Sequence, residues 1–380
     1  MDWDNFVLNC CAFIAGLFLL QHGANIFIDH SVILAKRVGA PDSLISLLTV
    51  GAEWEELAIV IASIVQHQPS LGLANIVGSC IANVLGAFAF GLLVQDFLPR
   101  FDSNSRIYAG ALLVVSSIFL YLSLTGHLDL TGGIFFLVSF SVYIVAICGA
   151  IYDRILATPT PETRRSLVMP ELEPPRSEDV LEEFHRELHI SIYPSVMQCH
   201  PDETTPLVKQ PPSPSIISGD PSDDIPPRRR VFYHAFKIIV GLSALSIAAY
   251  LLAHGSGALA TALNLSPTTF GITIMSFFTT LPEKIPIAVA TWRGHHRVMV
   301  TSTAGANIFL LTLCVGLILV TGNGNEELAK SITTFEVWTV WCCALVLMLI
   351  MFVRGRKWMG GIMLGFYLAF LAAECTVNKK

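Results

Sequence analysis

The chain has 380 residues, 53% of them hydrophobic and only 14% charged, with a mean hydropathy of +0.63. A soluble domain of this size carries about 25% charge, so the composition excludes an ordinary soluble protein and points to one embedded in a bilayer. The net charge of −6 averages over unlike segments; nucleic acid is not an expected partner, and the absence of a nucleophile elbow, HExxH or P-loop argues against an enzyme.

In chain order, ten runs are long enough, or nearly so, to cross about 30 Å of hydrocarbon. They fall at approximately 6–28, 43–66, 72–97, 107–125, 130–151, 232–253, 268–291, 298–321, 334–353 and 358–376. The expected fold class is all-α: a polytopic membrane protein with a first five-helix half over 1–151, a connecting loop over 152–230 and a second half over 231–380. The first run follows the acidic start MDWD and is long enough to span, so it reads as a membrane helix rather than a cleaved leader. The second run, LISLLTVGAEWEELAIVIASIV (44–65), would be unexceptional without Glu53, Glu55 and Glu56 near its centre. An acidic residue at mid-bilayer costs roughly 3 kcal/mol, so the cluster needs protonation, water or a bound cation to relieve it. Glu53 and Glu56 are three apart and share a helix face, whereas Glu55 is expected to turn away.

Residues 152–230 are rich in Pro, Ser, Glu and Asp and cannot bury enough apolar surface to fold alone, apart from a short helical pattern at 178–188. The nine cysteines have no CxxC or zinc-type spacing and read as small buried apolar residues. His22, Asn25 and His254 are read as partners in interhelical hydrogen bonds.

Positive charge orients the chain. With the N-terminus outside, the short inner loops hold Lys36, Arg37, Arg100, Arg106, Arg293, Arg297, Arg354, Arg356 and Lys357, while the outer loops hold Lys330. The 152–230 loop then lies in the cytosol and both termini are lumenal or extracellular. Five helices per half reverse the second half relative to the first, which is the geometry of an inverted repeat.

The halves share a motif. GAEWEEL (51–57) in the second helix matches FTTLPEK (278–284) in the seventh, and GSCIAN (78–83) in the third matches GANIFL (305–310) in the eighth. Glu56 precedes Gly78 by the same interval as Glu283 precedes Gly305. At these residues the sequence resembles the cation/Ca²⁺ exchanger superfamily, of the sodium/calcium exchanger type, whose two inverted repeats carry a GTSxPE-like element followed by a GSN-I-x-[ND]-like element. TTLPE (279–283) and GSCIAN (78–83) are the closest matches. The resemblance implies a cation site built from Glu56, Ser79 and Asn83 of one half with Thr279, Thr280 and Glu283 of the other. Chemistry agrees, because a hard cation such as Ca²⁺ takes six to eight oxygens from carboxylates, amides, hydroxyls and carbonyls. Helix breaks at Gly78/Ser79, Gly305/Ala306, Pro282 and Pro286 are expected to add free carbonyls.

The chain also departs from the family pattern. Ala52 and Glu53 replace a Thr-Ser pair, Glu55 replaces a Pro, Phe278 replaces a Gly, Ala306 stands in for a Ser, and Leu310 takes the place of an Asp or Asn. Glu53, one turn from Glu56, is expected to join the ligands and restore the charge missing at Leu310. Lys284 follows Glu283 directly and is expected to point elsewhere on the helix, yet a cation so near would weaken a divalent site. The function implied is secondary antiport of Ca²⁺ or a similar cation against Na⁺ or H⁺ by alternating access, with no cofactor beyond the transported ions. The expected partners are the lipid bilayer, those cations and cytosolic regulators of the long loop. The rival is a transport-inactive membrane sensor or scaffold acting through that loop. The host membrane, plasma membrane or endomembrane, is left open by the sequence.

Overall fold

In hydrocarbon every backbone polar group has to find its partner within the protein, which leaves the helix as the economical way across. The computed structural model follows that rule and contains no strand among its described residues, which are 3–38, 52–95, 101, 103–156, 227–292, 296–322, 328, 331–353 and 355–377. We number ten helices, counting a π-helical stretch as part of the helix it interrupts. They are α1 (Trp3–Val38), α2 (Trp54–Val65), α3 (Pro69–Ile81, Ala82–Phe88 and Ala89–Val94), α4 (Ser103–Leu124) and α5 (Leu130–Leu156). The second set is α6 (Pro227–Ala262), α7 (Pro267–Phe270, Gly271–Met275 and Ser276–Trp292), α8 (His296–Phe309, Leu310–Cys314 and Val315–Thr321), α9 (Thr334–Val353) and α10 (Lys357–Val377). Each of the ten expected runs overlaps one of these helices, and residues 43–51 of the second run lie outside the described residues. Residues 152–156 and 227–230, expected in the loop, instead extend α5 and α6; the rest of the loop, with its helical pattern at 178–188, lies outside the described residues.

Among the described residues, seven helices are long and apolar enough to cross a membrane by length and composition. The others are α5, whose apolar stretch Leu130–Ala146 is shorter, and α2 and α7, which carry the charged motif residues. The protein is inverted relative to a soluble one. Phe18, Val142, Val145, Ile247, Leu349, Phe366 and Leu368 are exposed on the periphery, where lipid is their solvent, while Asn75, Ser79, Asn83, Thr279 and Asn307 are buried. The central position belongs to α3 and α8, whose membrane spans are 83% buried against 28% for α1, α4, α6 and α10.

Side-chain pairings establish the inversion directly. On α1 and α6, Phe13 lies beside Gly255, Gly16 beside Leu252, Gly23 beside Leu245 and His30 beside His234. Ascending numbers on one helix meet descending numbers on the other, so the first helices of the two halves run antiparallel. The same holds for α3 and α8, where Gly72 faces Ile318, Cys80 meets Asn307 and Gly91 faces Met299. The π-helical stretches also recur at matching places, Ala82–Phe88 in α3 and Leu310–Cys314 in α8.

Two expectations need correction. Gly78/Ser79 and Gly305/Ala306 lie inside unbroken helix, and α7 runs on through Pro282 and Pro286. The irregularity is supplied instead by the π-helical stretches and by non-helical Ala52 and Glu53, where α2 begins. The small residue at 78 serves close packing: a Cβ at Gly78 would overlap the Ile272 carbonyl and the Ser276 hydroxyl of α7. The cysteines are also mixed. Cys80, Cys314 and Cys343 are buried, whereas Cys11 and Cys342 are on the outer surface.

The α1–α6 seam is a backbone-to-backbone approach at Gly23 and Gly241, each of which would place a Cβ 2.7 Å from a main-chain nitrogen of the other helix. Gly23→Leu is therefore expected to cost about 1–3 kcal/mol or more through overpacking and to lower the thermal unfolding midpoint of the purified protein. Gly365→Ala, with nothing within 4 Å of the new methyl, should leave the midpoint unchanged. Equal midpoints for the two variants would refute the close-packed seam.

Candidate cation site

The opening acids of α2 sit where a helix starts. Glu53 occupies the N-cap position with φ −85° and ψ 77°, its carbonyl accepts from the Leu57 amide at 3.0 Å, and Glu55 and Glu56 follow in the first turn. The first amides of a helix have no intrahelical acceptor and carry the positive end of its dipole, which favours nearby carboxylates. The residues before Ala52 lie outside the described ones. All three acids, Glu55 included, are buried.

Lys284 needs correction. It is buried on α7, and its Nζ lies 2.7 Å from Glu53 Oε1 in an ion pair that joins the two halves. Glu53 thus reaches the site with a lysine on its carboxylate, so the charge it adds is offset within the protein and does not simply replace the one missing at Leu310. Leu310 itself is fully buried in the apolar core at the start of its π-helical stretch.

The centre of the site is a pair of carboxamides. Asn307 Nδ2 donates to the Cys80 carbonyl at 3.0 Å, and Asn83 Nδ2 donates to Asn307 Oδ1 at 2.9 Å. This chain fixes both amide orientations: a carbonyl can only accept, so Asn307 presents its nitrogen to Cys80 and its oxygen to Asn83. Cys80 and Asn307 occupy equivalent places in GSCIAN and GANIFL, and equivalent residues that touch lie on the axis relating the repeats. Asn307 was missed as a functional residue, although it matches the Asn of the GSN element; attention to Ala306 and Leu310, where residues are lost, hid the one that remains.

Several of the implied ligands are buried on the helices around this pair. Buried oxygens of Glu56 (Oε2), Ser79 (Oγ), Asn83 (Oδ1) and Thr280 (Oγ1) have no hydrogen-bond partner in the protein. Thr279, also buried, donates weakly to the Ser276 carbonyl at 3.3 Å. Glu283 lies on α7 beside Lys284, but its side chain is outside the described residues. Both amide atoms of buried Asn75, one turn before Ser79, likewise lack partners. Pro282 has no N–H to offer the Phe278 carbonyl, so that oxygen lacks its usual donor four residues on although the helix is unbroken. Among the described residues no three His, Cys, Asp or Glu side chains form a metal cage. The unpartnered oxygens belong to one carboxylate and to amide and hydroxyl groups, ligand types suited to alkali and alkaline-earth cations rather than to soft metals.

The sequence pattern of the sodium/calcium exchanger protein family matches residues 8–149 and 233–375, one segment in each half. The chain belongs to that family. Among solved structures it is similar to the sodium-calcium exchanger NCX_Mj soaked with Na⁺, at 18% identity and a TM-score of 0.53 over 97% of this chain and 99% of that one. NCX_Mj soaked with Na⁺ and Sr²⁺ gives a TM-score of 0.54 at the same identity, over 96% and 98%. These likenesses support the fold. In sequence it is 29% identical over 101 residues to the sodium/calcium exchanger MaX1 of Methanosarcina acetivorans and 31% identical over 83 residues to CaxA of Alkalimonas amylolytica. The matched segments span 26% and 21% of this chain, and 29% and 26% of those relatives.

Removing the axial amide should be felt. Asn307→Ala strands the Asn83 amide and the Cys80 carbonyl, at an expected cost of roughly 1–2 kcal/mol, read as a lower thermal midpoint. Asn83→Ala and Asn307→Ala should be non-additive in a double-mutant cycle; additive effects would mean that the two amides do not act together.

Proposed function

We propose that this exchanger-family chain is a secondary antiporter that moves Ca²⁺ or a similar hard cation against Na⁺ or H⁺. The observation that carries this reading is the set of unpartnered, buried oxygens on Glu56, Ser79, Asn83 and Thr280, drawn from both repeats. Buried polar atoms without partners are costly in a protein interior, and a dehydrated cation would satisfy several of them at once. Exchange follows from mutual exclusion: carboxylates in a medium of low dielectric must be compensated, so one cation or proton leaves only as another takes its place. Equivalent elements of opposite orientation give the protein two related ways to open, one toward each side, which is the basis of alternating access in inverted-repeat transporters. The same set, with Thr279 and Glu283, constitutes the proposed cation-binding residues, and Glu53 joins them through its pair with Lys284. Nothing among the described residues favours a transport-inactive scaffold.

The test is uptake of radiolabelled Ca²⁺ into proteoliposomes under an imposed Na⁺ or H⁺ gradient. Uptake driven by one of these gradients is expected, and uptake under neither would refute the reading. Glu56→Gln and Glu283→Gln each remove one charge with little change of shape and should abolish exchange while leaving expression and insertion intact. Retained transport in either variant would remove that residue from the ion path.

The charge bias of the loops supports an orientation with both termini lumenal or extracellular. A tag inserted at Ser213 is expected to be reached only from the cytosol and tags at the termini only from the opposite side. All three on one side would contradict this topology.

A further inference from the structure

The two repeats differ in charge at two motif positions that meet in space. Position 53 is Glu in the first repeat and Thr280 in the second; position 284 is Lys in the second and Leu57 in the first. Glu53 and Lys284 are the two charged members, and they are the ones that pair, at 2.7 Å, with side chains 5% and 7% exposed. Each departure alone would change the net charge buried in the membrane-embedded core by one. Together they add no net charge, yet they put an ammonium group within the candidate cation site, on an acid one turn from Glu56.

Resting on the antiporter reading above, we infer that Lys284 is a tethered cation that sets the charge preference of the site. A lysine ammonium is a compact monovalent charge, and like any ion in the site it contributes to the compensation of the carboxylates. Because it cannot leave, the compensation left to mobile ions is smaller by one charge. Its field acts on a divalent ion with twice the energy it exerts on a monovalent one at the same place. Lys284 therefore weakens both kinds of cation, but the divalent one more, and offsets the preference for divalent ions that Glu53 alone would confer. Removing it should raise divalent affinity by about the square of the factor by which monovalent affinity rises.

The experiment is equilibrium binding of radiolabelled Ca²⁺ and Na⁺, each measured separately, to the purified full chain. Lys284→Gln is expected to raise the ratio of Ca²⁺ to Na⁺ affinity roughly tenfold or more, whereas Lys284→Arg, which keeps the charge, should leave the ratio near its original value. Glu53→Gln, which leaves the lysine without this carboxylate, should lower the ratio. Should either single change prevent folding, the paired change Glu53→Gln with Lys284→Gln removes both charges and is expected to recover the original ratio. A ratio unmoved by Lys284→Gln in a folded protein overturns the inference, as does a paired variant whose ratio falls well below that of the original chain. If the original chain binds neither cation, the antiporter reading fails first; if it binds both and Lys284→Gln changes nothing, only the role of Lys284 fails.

Discussion

The contact of Asn307 with the Cys80 carbonyl and with Asn83 fixes where the two repeats meet, and the rest of the site is arranged about it. Both helices involved are central and largely withdrawn from lipid, so neither amide has water to fall back on. A carboxamide is suited to this place because it both donates and accepts. It can tie one helix to its mirror-placed counterpart and still leave an oxygen, that of Asn83, without a partner in the protein. A purely apolar crossing would hold the helices together but present nothing to a cation. Carboxylates on both sides would repel one another unless an ion stood between them.

Around that axis the irregular backbone falls where the repeats need it. The π-helical stretches of α3 and α8 begin at or within three residues of the paired amides, and that of α7 lies just before Ser276 and the Thr279–Thr280 pair. A π-helical turn loosens the i→i−4 ladder and re-aims the side chains that follow, without breaking the helix as a proline or a glycine pair can. The chain thus keeps long, continuous spans and still turns hydroxyl and amide groups inward.

What the sequence made legible follows from periodicity and spacing. The ten apolar runs and the equal intervals from Glu56 to Gly78 and from Glu283 to Gly305 were enough to find the helices and the repeat, because hydropathy and motif spacing are local properties. The 36-residue lengths of α1 and α6 were not legible: their ends are polar or mixed, and packing of one long helix along the other sets the boundary. Lys284 was misplaced for a related reason. A helical wheel gives the direction of a side chain relative to its neighbours on one helix, but not that Glu53, 231 residues away, will be its partner. The free-carbonyl expectation failed at the glycines because nearness of α7, rather than a bend in α3, is what requires the missing Cβ at Gly78.

The two halves are repeats of sequence but not separate bodies. The first helix of one half packs along the first of the other, α4 packs on α9, α5 on α8, and α3 on both α7 and α10. Each half on its own would therefore present to lipid the faces that the finished protein buries, among them the glycine seam of α1 and the polar row Asn75, Ser79 and Asn83. During synthesis the first five helices are made and inserted before any of their partners exist. They must wait, with those faces exposed, for the ribosome to pass through the long connecting segment. The order of manufacture makes the first half a client of the second, and gives the cell an interval in which a chaperone for membrane helices would have something to hold.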